Sequence, residues 1–208
     1  MASIYRRSET GTGKYSAQGN TNAMVRLKTM KLILMSGNSL KNREWIYLVE
    51  NALKPLFSQT YVMVYEHWAQ AQPMADIDLE AAKLATLAQS FNEDYAIFAK
   101  SIGSVITLKD IVAGKIAPQQ LVITGLPLNL INELGLDIAD WLKSLTMPTL
   151  IIQNSDDPVG SFANLANISA EAVQQAKLKL IKIPGNNTHD YDDLKYLKSL
   201  IQDFMGAE

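Results

Sequence analysis

The chain has 208 residues, 48% hydrophobic and 19% charged, with no cysteine and two histidines. That length and apolar share fit one globular domain with a substantial core and exclude a disordered chain; the absent cysteine excludes disulfides, thiol nucleophiles, iron–sulfur clusters and thiolate zinc sites, and two imidazoles leave little for a histidine-rich metal centre. The net charge of -2 shows no basic excess of the kind nucleic-acid binding uses, and no apolar run approaches the roughly 18 residues of a membrane span, so neither partner is expected and a cytoplasmic location is.

Residues 1–28 are rich in Gly, Ser, Thr and Asn and carry five basic residues against Glu9 alone, which reads as a flexible or artificially appended extension ahead of a domain over 29–208. A phosphate loop at Gly11-Thr12-Gly13-Lys14 fails, because Ser8 stands where glycine is required and Tyr15 follows the lysine. From residue 31 the pattern becomes regular. A strand at 31–35 leads to a helix at 43–57, a strand at 61–65 to a helix at 77–91, and a strand at 95–99 to a helix at 103–112. A strand at 121–124 then precedes a helix at 129–145, a strand at 149–153 a helix at 162–175, and a strand at 178–183 a closing helix. In that last helix Tyr191, Leu194, Leu197, Ile201 and Phe204 recur at steps of three and four as one apolar stripe.

Strict alternation of buried strands with helices calls for a parallel sheet covered on both faces, since a parallel neighbour is reached only by a crossover. The expected fold is therefore α/β, a three-layer αβα sandwich with a mostly parallel sheet of about six strands. Ligands in such sheets bind beyond the carboxyl ends of the strands, so the residues after each apolar run are the candidates for chemistry.

After the third strand comes Ala99-Lys100-Ser101-Ile102-Gly103, a serine between small residues at a strand-to-helix turn; taken alone, Ser101 reads equally well as a helix N-cap. Lys100 is expected to be solvated. The fifth strand ends in Asp156-Asp157-Pro158, which by itself reads as an ordinary turn. His189 follows the sixth strand, Ser36-Gly37-Asn38 the first, and His67-Trp68 the second, where that aromatic pair suits either a substrate wall or a cap on the sheet end. One glycine in the segment after the first strand is not the three of a dinucleotide loop, and the helix there starts late, at about Arg43.

Taken together, a serine, an acid and a histidine following three strands in that order resemble the α/β-hydrolase family over about residues 31–204. Ala99 stands where the family has the first glycine of Gly-x-Ser-x-Gly, and Ser36 where it often has histidine. The resemblance is to small members without a lid domain, such as dienelactone-hydrolase-like proteins and compact serine esterases, because the 125–147 stretch has room for a loop and one helix but no inserted cap. It implies catalytic Ser101, Asp157 (with Asp156 as fallback) and His189, oxyanion donors at the backbone N–H groups of Ile102 and Asn38, and His67 and Trp68 in substrate binding. It further implies hydrolysis of a small-molecule carboxylic ester, thioester or related acyl compound, with no cofactor and no metal. Two rivals remain: a non-catalytic binding or regulatory protein of the same fold, and a flavodoxin-like or nucleotide-binding doubly wound domain.

Overall fold

The computed structural model describes residues 27–70, 72–174 and 177–206. The expected extension over 1–28 therefore falls outside the described residues up to position 26, while Leu27 is already part of the core, 2% exposed.

In chain order the elements are β1 (Lys31–Met35), α1 (Leu40–Leu53), β2 (Gln59–Val62), α2 (His67–Gln70), α3 (Ile77–Gln89), β3 (Tyr95–Lys100), α4 (Ile102–Val112) and β4 (Gln120–Thr124). They continue with α5 (Leu128–Glu133), α6 (Ile138–Ser144), β5 (Thr149–Asn154), α7 (Phe162–Ile168), α8 (Ala170–Gln174), β6 (Leu178–Ile183) and α9 (Leu194–Met205). Among the described residues the strands form one six-stranded sheet in the order β2-β1-β3-β4-β5-β6, every pair parallel.

Side chains alternate across each strand, and the two faces collect separate cores. On one face Leu32, Leu34, Ala96, Phe98, Val122 and Ile152 pack against Trp45, Ile46 and Val49 of α1 and Leu197 and Ile201 of α9. On the other, Ile33, Met35, Ile97, Ala99, Ile123 and Ile151 meet the helices from α3 to α8. Each fully buried Leu, Ile or Phe contributes roughly 1.5–3 kcal/mol, so these two layers supply the main stabilisation and hold the strand ends in register.

Several boundaries differ from the sequence reading for physical reasons. The second strand lies at Gln59–Val62 rather than 61–65: β2 is an edge strand with half-exposed residues, so it lacks a full apolar run. The first helix begins at Leu40, three residues before Arg43, and stops at Leu53, where Pro55 lacks an N–H and the chain continues as the 3₁₀ turn Lys54–Leu56. The helix expected over 129–145 is two, because Gly135 adopts φ +65° between α5 and α6. That expected over 162–175 divides at Ser169, and its last residue, Gln175, falls outside the described residues. The short α2 was not anticipated. Tyr191 precedes α9, which starts at Leu194 after Asp193 accepts a hydrogen bond from the Tyr196 N–H at 2.9 Å. No helix among the described residues is long and apolar enough to cross a membrane.

The strand order reverses between β1 and β3, so the crossovers leaving these two neighbours run to opposite sides and open a crevice beyond their carboxyl ends. Ser36 to Asn38 and Ser101 lie at that crevice.

Candidate active site

Ser101 links β3 to α4 with φ 51° and ψ -123°, the one non-glycine residue of positive φ among the described residues. Such a conformation costs about 1–3 kcal/mol and persists where the surroundings enforce it. Here the Ser101 N–H donates to the Thr124 carbonyl at 3.1 Å, and the Gly103 N–H donates to the Ser36 carbonyl at 3.1 Å. A Cβ on Gly103 would lie 2.6 Å from that carbonyl oxygen and 2.9 Å from the Met35 carbonyl carbon, so the close approach of the turn to β1 requires glycine. Ala99 is fully buried and paired with Met35 and Ile123 on the two neighbouring strands. Strain, small flanking residues and the partly exposed serine are the features of a nucleophile elbow.

At the end of β5 the two aspartates separate. Asp156 turns outward and accepts a hydrogen bond from Ser155 Oγ at 2.7 Å. Asp157 is buried, and its carboxylate accepts from His189 Nδ1 at 2.9 and 3.0 Å, from the Tyr191 hydroxyl at 2.9 Å and from the Val159 N–H at 2.9 Å. With Nδ1 so engaged, His189 carries its proton toward Asp157, and Nε2 is left with no hydrogen-bond partner among the described residues. The structure thus brings Asp157 and His189 together, and leaves the Ser101–His189 hydrogen bond unmade. Ser101 and His189 nevertheless share a corner. The Thr124 carbonyl holds the Ser101 N–H, and the next residue, Gly125 (φ +60°), faces the imidazole so closely that a Cβ there would lie 2.8 Å from His189 Cε1.

Ile102 opens α4, so its N–H has no partner within the helix and lies beside Ser101. Asn38 is held at four points. Its side chain donates to the Pro73 carbonyl at 2.8 Å and accepts from the Ala75 N–H at 2.9 Å, while its own carbonyl accepts from His67 Nε2 at 2.8 Å and Trp68 Nε1 at 2.9 Å. The neighbouring Ser36 carbonyl also accepts from the Tyr65 hydroxyl at 2.7 Å, and burial pushes that phenol's pKa well up, keeping it protonated as a donor. A further restraint is Gly37, where a Cβ would fall 2.5 Å from Asn42 Nδ2. His67 and Trp68 therefore sit on the crevice rim, bonded to the Asn38 loop, and line a pocket of about 280 Å³ with Leu40, Gln72 and Pro73.

Lys100 corrects the expectation of a solvated amine. It shares the Ala96 and Phe98 face of β3, is 2% exposed, donates to Asn42 Oδ1 at 2.9 Å and lies 5.3 Å from the centre of the Trp45 ring. Desolvation lowers its pKa from 10.5 to about 8 despite the nearby carboxylates of Asp190, Asp157 and Asp192. Outside the crevice Lys41 pairs with Asp190 at 2.9 Å, a contact that lowers the Asp190 pKa. Three other residues take part in the site that the sequence reading had not placed there. Asn42 receives the lysine, Asn154 donates from Nδ2 to the carbonyls of Thr188 and Asp190 at 2.8 and 3.0 Å, and Tyr191 reaches Asp157. Their signal was position: Asn154 ends β5, and Tyr191 lies two residues beyond His189. No group of three or more His, Cys, Asp or Glu residues placed to hold a metal ion occurs among the described residues.

This arrangement is the fold of a small α/β-hydrolase without a lid. Among solved structures the chain is similar to an α/β serine hydrolase homologue from Coxiella burnetii, at 20% identity and a TM-score of 0.65 over 84% of each chain. It is also similar to an α/β serine hydrolase without a lid from Xanthomonas campestris, at 15% identity and a TM-score of 0.62 over 85% of this chain and 80% of that one. An uncharacterised protein from Bacillus cereus aligns with 96% of the chain at 14% identity and a TM-score of 0.66, and there the chain spans 64% of the other's length. No protein-family model and no curated protein sequence matches.

Proposed function

We propose that the protein is a cytoplasmic serine hydrolase that cleaves a small carboxylic ester, thioester or related acyl bond without a cofactor. The observation that carries this reading is the Asp157–His189 pair, with Nε2 unpartnered, at the corner where Ser101 is held in a strained strand-to-helix turn. Ser101 Oγ attacks the acyl carbon while His189 Nε2 takes its proton, and Asp157 fixes the imidazole tautomer and stabilises the imidazolium. Negative charge on the carbonyl oxygen falls to the N–H groups of Ile102 and Asn38; such donors are worth about 3–4 kcal/mol each. The imidazolium then protonates the departing alkoxide or thiolate. Water attacks the acyl-enzyme with His189 again as base, releasing the acid and restoring Ser101.

The pocket bounded by His67 and Trp68 supports a small substrate group, since about 280 Å³ with aromatic walls and no covering lid suits a short or flat group rather than a long chain. One observation favours a second reading, a non-catalytic binding or regulatory protein of this fold: Ser101 and His189 are not hydrogen-bonded. In ligand-free enzymes that bond is often long, so labelling decides between the two. A fluorophosphonate probe should form an adduct at Ser101 that is absent in Ser101→Ala and falls sharply in His189→Ala. Folded wild-type protein giving no adduct and no turnover of short acyl esters would establish the non-catalytic reading.

A further inference from the structure

Tyr191 belongs by its periodicity to the apolar stripe of the closing helix, yet the structure puts it before that helix, 4% exposed, with its hydroxyl among the site's polar groups. Both bonding capacities of the hydroxyl are used. It donates to Asp157 Oδ2 at 2.9 Å and accepts from the Asn154 N–H at 3.1 Å. The Asn154 side chain in turn donates to the carbonyls of Thr188 and Asp190, the two residues flanking His189. The Tyr191 ring stands edge-on to the imidazole with centroids 6.2 Å apart, and Gly125 crowds both rings, since a Cβ there would meet Tyr191 Cε2 at 2.8 Å. Burial and the charge of Asp157 push the phenol's pKa far up, so it stays protonated and remains a donor.

A carboxylate with three donors is a weaker base than one with two, because each hydrogen bond favours the ionised form. We propose that Tyr191 is a positioning residue of the Asp157–His189 pair: its hydroxyl aims the carboxylate and, by sharing that charge, weakens the hold of Asp157 on the imidazolium. Its assignment to catalysis rests on the hydrolase reading above; the electrostatic coupling does not. The charged groups around His189 are Asp157 from the loop after β5, Asp190 and Asp192 on its own loop, Lys41 of α1 paired with Asp190, and Lys100 of β3, whose Nζ is 6.0 Å from the Tyr191 ring centre. Thr124 and Gly125, at the end of β4, add no charge. Tyr191→Phe leaves every one of these in place and removes one hydroxyl.

With two histidines in the chain, the imidazole titrations can be read directly by ¹⁵N NMR, with no need for turnover. In Tyr191→Phe the His189 midpoint should rise by roughly half a pH unit or more, since the carboxylate left with fewer donors holds the imidazolium more strongly. The His67 midpoint should not move. In the Asp157→Asn background the same substitution should leave His189 unmoved, which separates the coupling from a general loss of packing. If the protein turns over acyl esters, the acid limb of its kcat/KM profile should move upward with the NMR midpoint. A His189 midpoint unchanged by Tyr191→Phe, or an equal shift in the Asp157→Asn background, overturns the proposal. A midpoint that shifts as expected in a protein that neither labels at Ser101 nor turns over supports the coupling and defeats the hydrolase reading.

Discussion

Lys100 gives the sharpest test of how this site is built, because an amine buried beneath the candidate nucleophile is costly unless something needs it. Its pKa falls from 10.5 to about 8 on folding, chiefly by desolvation. At about 1.4 kcal/mol per pH unit, that difference corresponds to about 3 kcal/mol against the folded state wherever the amine is charged in both states. Between about pH 8 and 10.5 the unfolded chain keeps the proton and the folded protein has released it, so the unfolded state binds more protons and stability rises with pH. Below about pH 8 the penalty is complete. Integrated with these two pKa values, the contribution of Lys100 becomes less unfavourable by about 1 kcal/mol between pH 7 and pH 9.

Lys100→Met keeps much of the volume and loses the charge. It also loses the hydrogen bond to Asn42 and the contact with the Trp45 ring, which lowers its net gain without altering the pH slope. Urea unfolding followed by tryptophan fluorescence at pH 7 and pH 9 should show the variant more stable at pH 7, with its advantage over wild type smaller by about 1 kcal/mol at pH 9. A difference between the two proteins that does not change with pH, or that grows, would refute the placement of a titrating amine in this layer.

Two substitutions test the turns themselves. Gly103→Ala brings a Cβ to within 2.6 Å of the Ser36 carbonyl oxygen, a backbone atom that can move only with β1 and the Asn38 loop; it should destabilise by about 1–3 kcal/mol in thermal unfolding and reduce probe labelling at Ser101, and a variant matching wild type in both would exclude the close approach. Asp157→Asn should reduce kcat by about 10³- to 10⁴-fold by offering His189 Nδ1 the wrong partner, whereas Asp156→Asn, at a side chain bonded to Ser155 on the surface, should stay within about twofold. The reverse order in ester hydrolysis would transfer the acid's role to Asp156.

The sheet was legible because each inner strand is a short apolar run and parallel strands need helices between them; β3, β4 and β5 are buried over nearly their whole length, and their positions agree with the sequence to within a residue. The edge strand β2 was not, since Gln59 and Thr60 face solvent or half-solvent and carry no apolar signal. The site divided along a similar line. Ser101, Asp157 and His189 became candidates from their places after strands, because topology brings every strand end of a parallel sheet to one rim, and of the three the structure pairs Asp157 with His189.

The polar groups beneath that rim were hidden for a different reason: their partners lie far off in sequence. Lys100 meets Asn42 across 58 residues, and Asn154 meets Asp190 across 36. A lysine beside a turn reads as a surface residue until strand parity puts it with Ala96 and Phe98 under α1, and a tyrosine at helical spacing reads as packing until its hydroxyl is seen on a carboxylate. These buried contacts have a direct mechanical consequence. Lys100 joins the base of the serine turn to α1, whose first turn follows the Asn38 loop, and Asn154 and Tyr191 join the end of β5 to the histidine loop. The loops after β1, β3, β5 and β6 are thereby fastened to the sheet by polar bonds in buried or partly buried positions, where a lost partner costs more than at the surface. The constellation proposed above, spread over four separate loops, needs such fastening to keep its geometry, so substitutions at Asn42, Asn154 and Tyr191 should disturb the site while the apolar layers on which the fold depends remain intact.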